Sequence, residues 1–288
     1  MIDNTSTSPK PELSVENHTE VRITPYYQNA GITIYNARAE DVILALPKVR
    51  CVVTSPPFNQ SIDAFSPSGM HRETRWVGKI SGGYSDQVEE VEYQKHQRDV
   101  INMLASILEP DGSLFYNHKI RWRDGNLLHP VSWLSGVNLQ LRQEIVWARN
   151  GSVTLNARMF APSDERIYWF DNGKHCWNQD SVSHMTVWHI AQFGSFGTAR
   201  GGVTGHPCAF PTEIPLRCIK ATSAEGDLVL DPYMGSGTTL IAAKKLNRRA
   251  IGIEVNERYC ELAVTRLSQD VLDFSAAPET EGINQGIK

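Results

Sequence analysis

The chain has 288 residues, 41% hydrophobic and 21% charged, with a formal net charge of −4, enough for one large domain with an ordinary core but not for two. No apolar run approaches the roughly 20 residues of a membrane span, and the opening MIDNTSTSPKPELS lacks the basic head and apolar stretch of an export signal, so a cytoplasmic protein is expected. The acidic balance argues against a protein that coats nucleic acid, because neutralising phosphates needs clustered Lys and Arg, so any DNA contact must be local.

In chain order, residues 1–20 read as a disordered leader, 21–273 as the folded domain and 274–288 as a disordered tail, since both ends are rich in Ser, Pro, Glu and Gly. Apolar runs at Ile32–Tyr35, Cys51–Val53, Ser113–Tyr116, Glu144–Trp147, Arg166–Phe170, Leu228–Leu230 and Ala250–Ile253 predict seven strands. Helical periodicity predicts helices over Glu40–Leu46, Tyr93–Leu108, Thr212–Ala221, Thr238–Leu246 and Glu257–Leu267. The alternation points to a mostly parallel, doubly wound α/β sheet. Two stretches interrupt it: an insert at about 59–92, and another at about 171–205 whose Trp and His content makes it the candidate target-recognition region, with a packed excursion that makes no DNA contact as the alternative. Five dispersed cysteines without a CxxC spacing read as reduced thiols, and His175, His184 and His189 lack the i, i+4 pairing of a helical metal site, so no metal is expected.

Two motifs carry chemistry. The first, DLVLDPYMGSGTTL, is a strand ending in Asp231, a Gly235-x-Gly237 turn and a helix opened by Thr238 and Thr239. Glycine permits close backbone approach to a ligand, and Glu254 at the end of the next strand stands where an acidic side chain accepts hydrogen bonds from ribose hydroxyls. The loop lacks both the third glycine of a dinucleotide site and the Gly-Lys-Ser/Thr ending of a P-loop. Asp231 would repel a pyrophosphate but suits a cationic nucleoside such as S-adenosylmethionine.

The second motif is Thr54-Ser55-Pro56-Pro57-Phe58, at the end of a predicted strand. Consecutive prolines fix φ, remove two backbone donors and present carbonyl oxygens stiffly. An exocyclic amino group on a base is a poor nucleophile because its lone pair is delocalised into the ring. Hydrogen bonds from its two N–H groups to Ser55 Oγ and the Pro56 carbonyl would favour a pyramidal nitrogen able to attack a sulfonium methyl in line. Phe58 would stack on the extracted base, since an atom inside a duplex is out of reach without base flipping.

TSPPF followed much later by DPYMGSGTT resembles the beta group of DNA amino-methyltransferases, in which a (Asp/Asn/Ser)-Pro-Pro-(Tyr/Phe) motif precedes the cofactor motif. The similarity extends over HPCAFPTEIPLRCIKATS at 206–223 and spans about Ile32 to Leu267. It implies a circularly permuted, Rossmann-like class I S-adenosylmethionine methyltransferase fold with a seven-stranded sheet. It implies catalysis at Ser55, Pro56, Pro57 and Phe58, and cofactor binding at Asp231, Pro232, Tyr233, Gly235, Ser236, Gly237, Thr238 and Glu254, with His206, Pro207 and Thr212 beside the methionine end. The implied substrate is double-stranded DNA, the implied setting a bacterial or phage restriction-modification system, with a restriction endonuclease as companion.

Ser at the first motif position goes with cytosine in that family and Asp with adenine, so Ser55 points to N4-methylcytosine, with an N6-adenine enzyme as the alternative. Where the family has Gly-Asp after its N-terminal strand, this chain has Ala37-Arg38, leaving Glu40 or Asp41 as substitutes for an adenine contact. A ring-carbon methyltransferase would need a cysteine nucleophile, and Cys208 sits within the His-Pro segment instead. A non-catalytic protein binding S-adenosylmethionine and nucleic acid is the alternative of another class, and RNA or protein amides remain alternative substrates. Lys119, Arg121 and Arg123 form a basic cluster that would meet phosphates or lie in a solvated turn. Lys244, Lys245, Arg248 and Arg249 complement a helix dipole.

Overall fold

Strands that are covered on both faces read as near-continuous apolar runs, and this chain has two of them at the centre of its sheet, VRCVVT and LVLD. A computed structural model of the chain describes residues 24–59, 88–123, 125–149, 160–179, 185–191 and 211–269. The expected leader and tail, most of the first insert and the His206-Pro207-Cys208 segment lie outside the described residues.

The elements follow in order: strands β1 (Tyr27–Asn29) and β2 (Ile32–Asn36), the short helix α1 (Ala39–Val42) continued by one 3-10 turn, and strand β3 (Val49–Thr54). Next come helix α2 (Glu90–Ile107), strand β4 (Leu108–His118), the two-stranded ribbon β5 (Arg121–Arg123) and β6 (Asn126–Leu128), and helix α3 (Val131–Leu134). Strands β7 (Gln140–Ala148), β8 (Asp164–Asp171) and β9 (Val187–His189) precede helix α4 (Glu213–Thr222). The last elements among the described residues are strand β10 (Leu228–Asp231), helix α5 (Thr238–Lys245), strand β11 (Arg249–Glu254) and helix α6 (Glu257–Ser268).

All seven predicted strands are present, but among the described residues the main sheet has nine, in the order β1-β2-β11-β10-β3-β4-β8-β7-β9. The seven-stranded expectation is thus corrected by two three-residue edge strands too short to leave a periodic signal. β1 is paired to β2 through Ala30-Gly31, both at positive φ, the backbone of a tight hairpin turn. β9 lies inside the second expected insert, so that stretch contributes an edge strand to the sheet. The first insert also ends earlier than expected, because α2 starts at Glu90. Helix α3 and the β5–β6 ribbon are further elements that periodicity does not reveal.

Apolar residues of α2 at Tyr93, Val100, Ile101, Leu104 and Ile107 share one buried stripe. Together with α1 and α3 they cover one face of the sheet, while α4, α5 and α6 cover the other. The strand order creates a switch point. From β10 the chain crosses through α5 to β11 on one side, and from β3 it crosses through α2 to β4 on the other, so a crevice opens beyond the carboxyl ends of β10 and β3. Both chemical motifs empty into that crevice.

The glycines of this region are fixed by packing as well as by turn geometry. Gly237 has φ +80, and a Cβ there would come 2.9 Å from the Cβ of Ala263 on α6. Gly252, paired with Asp231 across β10 and β11, leaves space for the Met234 sulfur and the Leu240 methyls, all of which a Cβ would meet within 3.0 Å. Gly252→Ala is expected to overpack this layer and lower unfolding free energy by about 1–3 kcal/mol, read as a lower urea midpoint at unchanged slope; an unchanged midpoint would mean Met234 has room to turn away.

Candidate active site

Strand β3 ends with Thr54, and the Thr54 hydroxyl donates to Asp231 Oδ1 at 2.9 Å. The other carboxylate oxygen of Asp231 accepts from the Thr239 hydroxyl at 2.6 Å, and the Tyr233 N–H donates to Oδ1 at 3.1 Å. Asp231 is only 1% exposed, and burial pushes its carboxyl up to about 6 in spite of these donors. One carboxylate therefore ties the strand that precedes Ser55 to the helix that follows the glycine loop.

The next residue, Ser55, stands opposite Asn117 by the register that pairs Thr54 with Tyr116. The Ser55 hydroxyl donates to Asn117 Oδ1 at 2.9 Å, and Asn117 Nδ2 donates to the Arg166 carbonyl of β8 at 3.1 Å. That second bond fixes which way the amide points. A serine hydroxyl has one proton and two lone pairs, so once its proton is committed to Asn117 it faces any other group as an acceptor.

Further along the turn, the Tyr93 hydroxyl of α2 lies 2.8 Å from the Pro57 carbonyl and 2.8 Å from His118 Nε2. His118 is fully buried, and burial pushes its pKa down to about 3, so the ring is neutral. Its Nδ1 lies 2.7 Å from the Lys119 carbonyl, which requires the proton there, so Nε2 and the Pro57 carbonyl are two acceptors that share the single Tyr93 hydroxyl proton. Phe58 packs on the His118 ring with centroids 4.9 Å apart, and Lys119 Nζ lies 5.3 Å from the Phe58 centroid. Asn59, at φ +53, closes the motif: its side chain bonds both the carbonyl and the N–H of Val88.

On the other side of the crevice, Glu254 ends β11 with Oε2 accepting from the Gly235 N–H at 3.0 Å and Oε1 from the Asn256 N–H at 2.8 Å. Burial raises its pKa. Arg266 of α6 donates to the Ser236 carbonyl, the Ser236 hydroxyl at 2.9 Å and the Thr238 hydroxyl at 3.4 Å, so the loop is gripped from behind. Of the residues expected to meet a cofactor, Asp231, Pro232, Ser236, Gly237 and Thr238 are buried, whereas Tyr233, Gly235 and Glu254 are partly exposed. Thr212 precedes α4, whose N-terminal end lies toward the crevice because the helix runs down into β10.

Several participants are not evident from motifs. Asn117, Tyr93 and Arg266 stand within strand or helix patterns that read simply as core; only the polar pair Asn117-His118, continuing a buried strand, gives a sequence signal. The basic cluster divides. Arg121 is buried, bonded by both terminal nitrogens to Glu90 at 2.6 and 2.9 Å, so it lies neither in a solvated turn nor free for phosphates. Glu40, a candidate for an adenine contact, is engaged with His96 and Arg38, and the His96 hydrogen bond holds its pKa down at about 2. Of the other basic residues, Arg248 bonds the Ser223 hydroxyl and carbonyl and Lys244 the Leu267 carbonyl.

Comparison with known proteins places this arrangement. The M2.DpnII type II methyltransferase of Streptococcus pneumoniae is 29% identical over 85% of this chain and 93% of its own length. The type II methyltransferase M.ScaI of Streptomyces caespitosus is 25% identical over 85% and 84%. Among solved structures, the PvuII DNA methyltransferase (cytosine-N4-specific) matches with a TM-score of 0.68 at 19% identity over 85% of this chain and 89% of that one. The Thermus thermophilus protein TTHA0409, solved with S-adenosyl-L-methionine, matches with a TM-score of 0.57 at 25% identity over 84% and 95%. These likenesses agree with a class I methyltransferase fold. The family model for the N6/N4 DNA methylases matches residues 49–265, from the first residue of β3 into α6. With the Ser-Pro-Pro-Phe turn and the glycine loop both inside that span, the chain belongs to the N6/N4 DNA methylase family.

Proposed function

We propose that the protein methylates the N4 amino group of cytosine in double-stranded DNA, using S-adenosylmethionine, after rotating the base out of the helix. The observation that carries this is the Ser55 hydroxyl, its proton committed to Asn117, at the end of the strand beside the glycine loop. The residues of that loop fit the cofactor: Gly235 is partly exposed at φ +51, and the largely buried Glu254 carboxylate stands at the neighbouring strand end, suited to accept from ribose hydroxyls. The TTHA0409 protein, of the same fold, was solved with that molecule bound. When bound, S-adenosylmethionine supplies an electrophilic methyl group.

The chain's own part is positioning. Ser55 Oγ and the Pro56 carbonyl accept the two N–H bonds of the target amino group, drawing its nitrogen out of conjugation with the ring. The turn cannot drift, because Thr54, Ser55 and the Pro57 carbonyl are each held by a different element, β10, β4 and α2. Phe58, braced by His118, offers a face to the base. Ser55, in place of the aspartate that goes with adenine, supports cytosine as the target, and the type II relatives M2.DpnII and M.ScaI support a companion restriction nuclease.

Incubation of the purified protein with unmethylated plasmid DNA and methyl-labelled S-adenosylmethionine, followed by digestion to nucleosides, is expected to yield 4-methylcytosine. Label only in 6-methyladenine would overturn the choice of base, and unlabelled DNA would overturn the activity. Ser55→Ala is expected to keep cofactor affinity while lowering transfer about a hundred-fold, the scale of one lost transition-state hydrogen bond. Asn117→Ala should likewise lower kcat without raising the KM for the cofactor, and a reversed pattern would count against the hydroxyl's assigned role.

A further inference from the structure

Immediately after β4, the chain leaves the sheet as the β5–β6 ribbon. Trp122 and Leu127 stand directly opposite each other in its register and are 45% and 55% exposed. Directly opposed residues share a face, and neighbours along a strand face the other way. Arg121, on the other face, is 4% exposed and clamped to Glu90 of α2. The ribbon is therefore bolted to the body by Arg121 and turns an indole and an isobutyl group to solvent.

Its place is as informative as its composition. Lys119, which lies over Phe58, is three residues from Trp122, a span of at most about 11 Å of extended chain. Charge at the root of the ribbon also favours a polyanion. The single carboxylate of Glu90 answers both Arg121 and Arg123, and Glu165 answers both Lys119 and Arg149. Arg123 follows Trp122 on the ribbon face that carries Arg121, and its side chain is 45% exposed at the ribbon's edge toward solvent.

We propose that this ribbon is a wedge for duplex DNA: as the target nucleotide leaves the stack, Trp122, backed by Leu127, fills the space it vacates, while Arg123 and Lys119 lie against the flanking phosphates. An apolar side chain entering between base pairs compensates the lost stacking and holds the helix open. The assignment rests on the DNA-methylating activity proposed above. It commits the ribbon to double-stranded DNA, because a single strand has no stack of pairs to be held apart.

The test compares Trp122→Ala/Leu127→Ala with wild type on a synthetic duplex carrying a site that the wild type methylates in plasmid DNA, and on the same duplex with an abasic residue opposite the target cytosine. The variant is expected to lose about ten-fold or more in kcat/KM on the paired duplex, and to return to within about three-fold of wild type on the pre-opened one, where less energy is needed to extract the base. Equal loss on both duplexes, or no loss on the paired one, overturns the wedge. Cofactor binding checks folding; should the double variant fail it, Trp122→Gln is read on the same two duplexes against the same criteria. A wild type that methylates no DNA would instead remove the underlying activity, so the two failures are distinct.

Discussion

Asp231 ends β10 fully buried, and its carboxylate accepts from Thr54 on one side and Thr239 on the other. A carboxylate in such a place is stable only when its oxygens are supplied with donors, and the donors come from the two elements that must act together. Thr54 immediately precedes the Ser-Pro-Pro-Phe turn, and Thr239 stands in the first turn of the helix behind the glycine loop. Because removing either hydroxyl would leave a buried carboxylate oxygen short of a donor, the two motifs are held in one geometry although 177 residues separate Thr54 from Asp231. Ser55 and the glycine loop can face a common crevice only because this joint fixes the strand end and the helix start that flank them.

The order of the motifs along the chain matters less than the order of the strands. Ser-Pro-Pro-Phe comes first in sequence, but β3 and β10 are neighbours in the sheet, so a permuted chain builds the same crevice. The opposite crossovers from the two strands carry α2 and α5 to opposite faces, which parts the chain above their carboxyl ends.

Much of this was legible in the sequence, for identifiable reasons. The seven strands beneath the site are long or apolar enough to announce themselves, and the two motifs combine residues whose backbone demands are unusual, Pro-Pro and Gly-x-Gly. The nine-stranded sheet was not legible, because Tyr27–Asn29 and Val187–His189 are too short for any period to register. Nor were the partners of the motif residues. Asn117 lies at the end of a strand, and Arg266 on a helix face; what makes them part of the site is register and crossing geometry, which no local pattern encodes. Asp231, following an apolar strand, reads as facing a ligand, yet in the structure its carboxylate is spent on two threonines and a backbone N–H.

The clasp between Asn59 and Val88 bears on how this architecture can vary. Two side-chain-to-backbone hydrogen bonds join Asn59, the residue after Phe58, to Val88, two residues before α2. Closing a loop grows more demanding only slowly with length, by about 0.6 kcal/mol for each doubling. The segment between the clasped ends can therefore lengthen, shrink or be exchanged without displacing either Ser55 or the helix that supports it. Such a joint makes the chemistry of the fold a fixed chassis and the intervening chain an interchangeable part, a division that suits enzymes performing one reaction at many different sequences.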